Sequence, residues 1–338
     1  MTSVYERRSI WQERIAIGGR RAMMQSILTN QANTPLQGLS WMCKPIGVVR
    51  ALEIAAAVAS IGMIVLSAAL PDKNETAASE FAATSTSPPY TPGRESTFGA
   101  YLGAPYHYPS DFHWKKDGVH DLTIPKVEWY TKPFENPLYY GARIQRWMNS
   151  RFGTMVDFTH SKAYAPMTTD TKFTGTLDGK PAPELVKVQD YFSKLEFSHG
   201  HNMLTLNGLM RLGSFGQFSP YVGLGGGISL PHSELHLKTD PARTYEYQYT
   251  GLTGQALFGL EFRLKTGSVF LEYKFTLADY LAPITHRDGN WLPIDMWNQF
   301  SRWWSGEAPP GGWASTRLTS HQVIGGFYVR FLPQAAAR

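Results

Sequence analysis

Leu252–Leu264 reads LTGQALFGLEFRL, Lys265-Thr266-Gly267 follows, and Ser268–Leu281 reads SVFLEYKFTLADYL. In the first stretch Leu252, Ala256, Phe258, Leu260, Phe262 and Leu264 hold even positions, while Thr253, Gln255, Glu261 and Arg263 hold odd ones. In the second, Val269, Leu271, Tyr273, Phe275 and Leu277 alternate with Glu272, Lys274 and Thr276. Strict period two is the signature of a β-strand with two unlike faces. The three residues between suit a tight turn.

Working outward, the same alternation marks eight segments: Ser96–Ala104, Leu138–Met148, Thr154–Ala165, His201–Leu212, Pro220–Leu230, Tyr245–Leu264, Ser268–Leu281 and Thr319–Phe331. Most are near the roughly 9–11 residues that cross a bilayer at a tilt. The gaps between them run long, short, long, short to the end of the chain. Short gaps such as Asn149–Gly153 fit periplasmic turns, and long ones fit extracellular loops. The predicted fold is therefore all-β: an eight-stranded antiparallel transmembrane β-barrel of outer-membrane type, with long extracellular loops and short periplasmic turns. A soluble eight-stranded barrel or a β-sandwich is the alternative.

In such a barrel the apolar face meets lipid and the polar face turns inward. Arg143, Asp157, Arg211, Glu261, Arg263, Glu272, Lys274 and Arg330 then fall in the lumen, where opposite signs neutralise one another. A lumen of eight strands is filled by side chains. Tyr139, Tyr140, Trp147, Phe218, Tyr221, Tyr280 and Tyr328 lie near strand ends, where aromatic girdles are expected. Gly223, Gly225, Gly226 and Gly227 sit inside one strand, pointing to curvature or a crowded lumen.

Composition agrees. The 338 residues are 43% hydrophobic and only 17% charged, against about 25% in ordinary soluble domains, and 13% aromatic, which excludes disorder. The length allows roughly two domains. A single cysteine, Cys43, excludes a disulfide framework and a multi-thiolate metal site. The net charge is +5, and residues 95–338 are nearly neutral, with 23 basic against 21 acidic side chains. No basic cluster suits a nucleic acid.

Residues 1–45 read as a polar, basic extension without apolar period. Residues 46–70 read as a signal peptide or signal-anchor, with the charge-free run IAAAVASIGMIVLSAAL at Ile54–Leu70. Residues 71–94, rich in Ala, Ser, Thr and Pro, read as a linker, and 95–332 as the barrel.

On this topology all ten histidines fall in the outer half or in the long loops. His199 and His201, spaced as His-x-His on a strand, are expected on one face as a usable metal chelate. His160 shares parity with Val156 and Phe158, which makes it lipid-facing near the outer surface, and His321 does so with Val323. No phosphate-binding glycine loop and no Gly-x-Ser-x-Gly elbow is present. His160 and Ser161, adjacent on a strand, point to opposite faces.

The segments VDFTHSKAYA (Val156–Ala165), SHGHNMLTLNGLMRL (Ser198–Leu212), PYVGLGGGISLPHSE (Pro220–Glu234) and GGFYVRF (Gly325–Phe331) resemble the lipid A oxidase family of outer-membrane barrels. The resemblance covers roughly residues 95–331. It implies oxygen-dependent oxidation of the proximal glucosamine of 1-dephosphorylated lipid A to 2-aminogluconate, with hydrogen peroxide released. Lipid A in the outer leaflet, dioxygen and the outer-membrane bilayer are the partners it implies, for a monomeric barrel. Such chemistry requires a metal or other redox cofactor. The working assignment is a divalent transition metal on His199, His201 and His160. His160, His201 and Asp157 are the catalytic candidates, and Lys162 and Arg317 bind the anionic head group. A non-catalytic barrel acting as envelope anchor or adhesin is the second reading, and a lipid A deacylase the third.

Overall fold

The computed structural model describes residues 93–331, apart from 242, 265 and 266. The expected N-terminal extension, the signal or anchor segment and the linker up to residue 92 lie outside the described residues, as does residue 332.

In chain order the strands are β1 (Glu95–His107), β2 (Ser110–Lys116), β3 (His120–Val127), β4 (Tyr140–Trp147), β5 (Phe152–Tyr164), β6 (Asp170–Thr171), β7 (Thr174–Leu177), β8 (Lys180–Pro181) and β9 (Val186–Lys187). The short helix α1 (Val188–Tyr191) follows, then β10 (Phe192–Arg211), β11 (Phe218–Ser229), β12 (His232–Leu237), β13 (Arg243–Tyr247), β14 (Gly251–Arg263), β15 (Gly267–Pro283) and β16 (Arg287–Asp288). Helix α2 (Leu292–Ser305) and β17 (Trp313–Phe331) complete the fold.

Eight of these strands are hydrogen-bonded in the order β1-β4-β5-β10-β11-β14-β15-β17, and β17 pairs back onto β1 from Ser96↔Phe331 to His107↔Ser320. Each strand of this ring has two antiparallel neighbours. The eight alternating segments of the sequence each overlap one of them. The architecture is thus strand-dominated and of outer-membrane type.

Period two decides the faces. Along β14, Leu252, Phe258 and Leu260 are exposed on the outer side, and Thr253, Gln255, Glu261 and Arg263 are buried inside. Outward Leu206, Leu224, Ile144, Leu271 and Phe327 continue the apolar belt. Water would favour the reverse arrangement. Lipid favours this one.

The interior charges form two sets. Arg143 donates to Asp157 from Nε and Nη2 at 3.0 and 3.2 Å, and to Glu272 from Nη1 and Nη2 at 2.9 and 3.0 Å. Lys274 donates to Asp157 at 3.0 Å. Two cations therefore face two carboxylates, all four fully enclosed. Nearer the chain ends, Glu95 meets Arg211, Arg263 and Arg330, while Glu261 meets Arg263 and Arg330. The eight charges assigned to the lumen from parity are all here; Glu95 is the addition.

Five of the seven expected girdle aromatics are interior instead. Tyr139, Trp147, Tyr221, Tyr280 and Tyr328 are buried, and only Tyr140 and Phe218 face outward. They hold the inward parity, and small residues on neighbouring strands make room for such rings. A Cβ on Gly259 would lie 2.3 Å from the ring of Tyr221, and one on Gly141 would lie 1.9 Å from that of Tyr101. The glycines of β11 allow close strand approach, since a Cβ on Gly227 would lie 1.9 Å from the carbonyl oxygen of Leu204.

All four long connections leave the same end of the ring and are folded. β2 and β3 extend β17, β12 pairs with the outer half of β10, and β13 pairs with β12. Phe112, Trp114, Leu122, Ile124, Phe173, Phe192, Leu195, Leu235 and Ile284 form an apolar core among them. The sequence reading took these segments as loops; they are a head on the ring.

Asp157→Ala takes from Lys274 the carboxylate it pairs with and leaves Arg143 with Glu272 alone, at an expected cost of about 3–5 kcal/mol. Phe258→Arg, placing a charge on the belt near the middle of its strand, is expected to cost about 2–4 kcal/mol. Guanidinium unfolding in lipid vesicles checks both. Costs below about 1 kcal/mol for the pair would contradict the assignment of inside and outside.

Candidate functional site

β10 is long enough to belong to both the ring and the head. Its pairing with β5 shifts register between Phe197 and His201, around Gly200, whose φ of +146° favours glycine. The bulge breaks the two-residue period. His199 is half exposed toward β12, whereas His201 is fully buried. The expected His-x-His chelate therefore does not form.

His199 is instead brought to His232 and Glu234, the first and third residues of β12. One donor atom from each lies within 4.8 Å of the others. The ring of His232 is held edge-on by Tyr245 and Tyr247, at 4.5 and 4.7 Å between centroids. Its Nε2 is 3.0 Å from the carbonyl oxygen of Gly289, to which it donates. That bond leaves the buried Nδ1 without a hydrogen-bond partner among the described residues and fixes it as the ring's lone-pair donor. Burial pushes the pKa of His232 below its ordinary value, which keeps the imidazole neutral. Glu234 accepts from Ser198 Oγ and from His199 Nδ1, and Lys194 Nζ stands 3.6 Å from its other oxygen. Two imidazoles and a carboxylate with one solvent-facing side can coordinate a metal ion.

The residues singled out from the sequence are placed as follows. Asp157 lies in the lumen, held by Arg143, Lys274, Tyr101 and Gln255. His160 has the outward parity but is 4% exposed, stacked on Tyr140 at 4.7 Å and bonded through Nδ1 to Asn202 Oδ1 at 2.8 Å. Tyr140 and Asn202 are its register partners on the two neighbouring strands, and they cover it from lipid. His201 contacts the Tyr280 hydroxyl and packs on His107 at 5.4 Å. Lys162 donates to the Glu135 carbonyl at 2.9 Å, and Arg317 pairs with Asp279 at 2.5 Å on the outer face. His321 lies between the hydroxyls of Tyr108 and Tyr273. Of the expected metal set only His199 belongs to the cluster. Glu234 went unremarked in the sequence; its signal was His232-Ser233-Glu234, an i, i+2 pair that shares one face of a strand.

No family model and no curated protein matches this chain. Solved structures do. The outer membrane protein OprG from Pseudomonas aeruginosa is 12% identical, with a TM-score of 0.35, over 72% of this chain and 98% of that one. The outer membrane protein AlkL in lipid bilayers is 16% identical, with a TM-score of 0.34, over 75% and 97%. Ail, the attachment invasion locus protein of Yersinia pestis, is 12% identical, with a TM-score of 0.29, over 71% and 100%.

The placement of the candidate residues corrects the functional expectation. Asp157 is enclosed in lumen ion pairs, and neither His160 nor His201 belongs to the cluster that includes His199. The lipid A oxidase assignment is dropped, and with it oxidoreductase activity, lipid A modification and dependence on dioxygen. Localisation stands: an apolar belt around a charged interior is the surface of a bacterial outer-membrane protein.

Removing a ligand tests the cluster. Glu234→Gln and His232→Ala are each expected to weaken zinc binding to the refolded protein by more than the roughly 10–100-fold typical of outer-shell changes, and His201→Ala is expected to leave it unchanged. Titration calorimetry in detergent reads all three. Equal affinity in all variants would remove the cluster as a metal site.

Proposed function

We propose that the ring is a monomeric transmembrane barrel that serves as an envelope anchor or adhesin, binding through its folded outer head. The observation that carries this reading is the apolar core built among the long connections, beside a ring interior that holds paired charges. Among the described residues paired charges lie inside the ring and an apolar core lies among the connections, an arrangement that supports binding rather than solute passage. The four long connections instead build a rigid external surface at one end of the ring. Rigid β-sheet presents side chains with little ordering cost on contact.

Within that head His199, His232 and Glu234 would hold a divalent transition metal. Nitrogen and carboxylate donors in this number suit zinc. The ion would tie β10 to β12 and leave one coordination position to water or to a donor on whatever the head meets.

Two measurements test the proposal. Planar-bilayer recording is expected to show no steady conductance. Replacing residues 170–187 by a short Gly/Ser linker is expected to lower attachment of expressing cells to surfaces severalfold, while the mass spectrum of their lipid A stays unchanged. Steady ion conductance, or undiminished attachment by a variant that keeps its heat-modifiable migration, would overturn it.

A further inference from the structure

Helix α2 is amphipathic in the inverted sense. Asp295 accepts from the backbone N–H of Tyr247 at 3.1 Å. Gln299 both accepts from the N–H of Tyr249 and donates to its carbonyl, each at 2.7 Å. Arg302 reaches the carbonyl of Thr285 at 3.4 Å. At 3.6 residues per turn these three side chains share one face, and that face is the one held against the protein. Trp297, Phe300 and Trp304 lie on the opposite face, with Ile294 beside them. Trp297 and Trp304 are 68% and 69% exposed, the indoles aimed away from the chain.

A helix resting on a water-soluble surface buries its apolar stripe and shows its polar one. Here the polar stripe is fixed to backbone groups at three successive turns, so the helix cannot roll over. The pattern is that of the ring strands themselves, polar side inward and apolar side outward.

Its position extends the same surface. Tyr249, in the connection just before β14, precedes Leu252, an outermost exposed apolar residue of that strand, by three residues, or at most about 10 Å of chain. That is about one helix diameter. On adjacent β15 the outward face passes from Leu277 to Asp279, where the Asp279–Arg317 ion pair marks the edge of the belt. The aromatic face of α2 therefore begins where the belt ends. Tryptophan is the side chain enriched at that depth, where an apolar ring and a polar N–H are both accommodated.

We infer that α2 is an interfacial helix that lays Trp297, Phe300 and Trp304 into the head-group and acyl boundary of the outer leaflet, as a collar beside the barrel. Its partner is the lipid surface in which the barrel already stands. The helix fixes how far the head rises from the membrane and in which direction it leans.

Spin-label accessibility tests this on the full chain with Cys43→Ser, refolded into phosphatidylcholine vesicles containing some phosphatidylglycerol. Nitroxides go on Trp297→Cys and Trp304→Cys, with Phe258→Cys as the belt reference and Asp288→Cys as the aqueous one. Collisions at 297 and 304 are expected to favour oxygen over a water-soluble nickel chelate, closer to 258 than to 288. Nickel access equal to that at 288 would overturn the inference. So would exclusion of both reagents, which would mean that a protein surface covers the helix. Where labelling disturbs folding, W297F/W304F replaces it: quenching of tryptophan emission by brominated phosphatidylcholine is expected to fall relative to the unaltered chain, and unchanged quenching would overturn the inference.

Discussion

The ion-pair set of Arg143, Asp157, Glu272 and Lys274 is the constraint on which the rest of the fold depends. Four charges held out of water on three strands are tolerable only if each keeps its opposite. Asp157 is shared by two cations and Arg143 by two carboxylates, so no member can move alone. That ties β4, β5 and β15 across the interior and fixes their register, since a slip of one residue would turn every charge to lipid. The hydroxyls of Tyr101 and Tyr221 donate into the same set, at 3.0 Å to Asp157 and 2.7 Å to Glu272. Glycines on adjacent strands leave space for their rings.

Above this polar layer the solvent logic changes. The outer ends of the ring strands leave the bilayer and acquire partners on their inward side: Phe192, Leu195 and Phe197 of β10 pack with Phe112, Trp129 and Leu235. The bulge at Gly200 lies at the junction. Below it β10 follows the alternation of a membrane strand, and above it the strand turns other residues toward β12. The cluster of His199, His232 and Glu234 is a product of that turn. Helix α2 lies beside the same rim and keeps the inverted polarity of the ring below it.

Much of the ring was legible because lipid on one side and charge on the other force an uninterrupted two-residue period. Leu252–Leu264 and Val269–Leu277 carry it plainly, and the lumen charges follow from it by parity. The head was not legible for a physical reason. β2, β3 and β13 alternate over only five to eight residues, and β12 is buried on both faces, so none carries a period long enough to announce it. Two site readings failed on single residues. Gly200 cancels the facing rule for His199 and His201, and Tyr140 with Asn202 covers an imidazole that parity alone sends to lipid. The girdle reading failed because inward and outward aromatics near strand ends look alike unless parity is applied to them too. The likeness of VDFTHSKAYA to an oxidase segment rested on residues that here serve the barrel: Asp157 neutralises Arg143 and Lys274, and Lys162 is held by the carbonyl of Glu135.

The central claim is that even-numbered residues of β14 touch lipid and odd-numbered ones touch the paired charges. Photolabelling with a diazirine on the acyl chain of a phospholipid, mapped by mass spectrometry on the protein in outer-membrane vesicles, reads that contact residue by residue. Adducts are expected on Leu252, Phe258 and Leu260, with none on Gln255, Glu261 or Arg263. Adducts on the odd set, or a strand left wholly unlabelled while labelling occurs elsewhere, would contradict the two-faced ring as described.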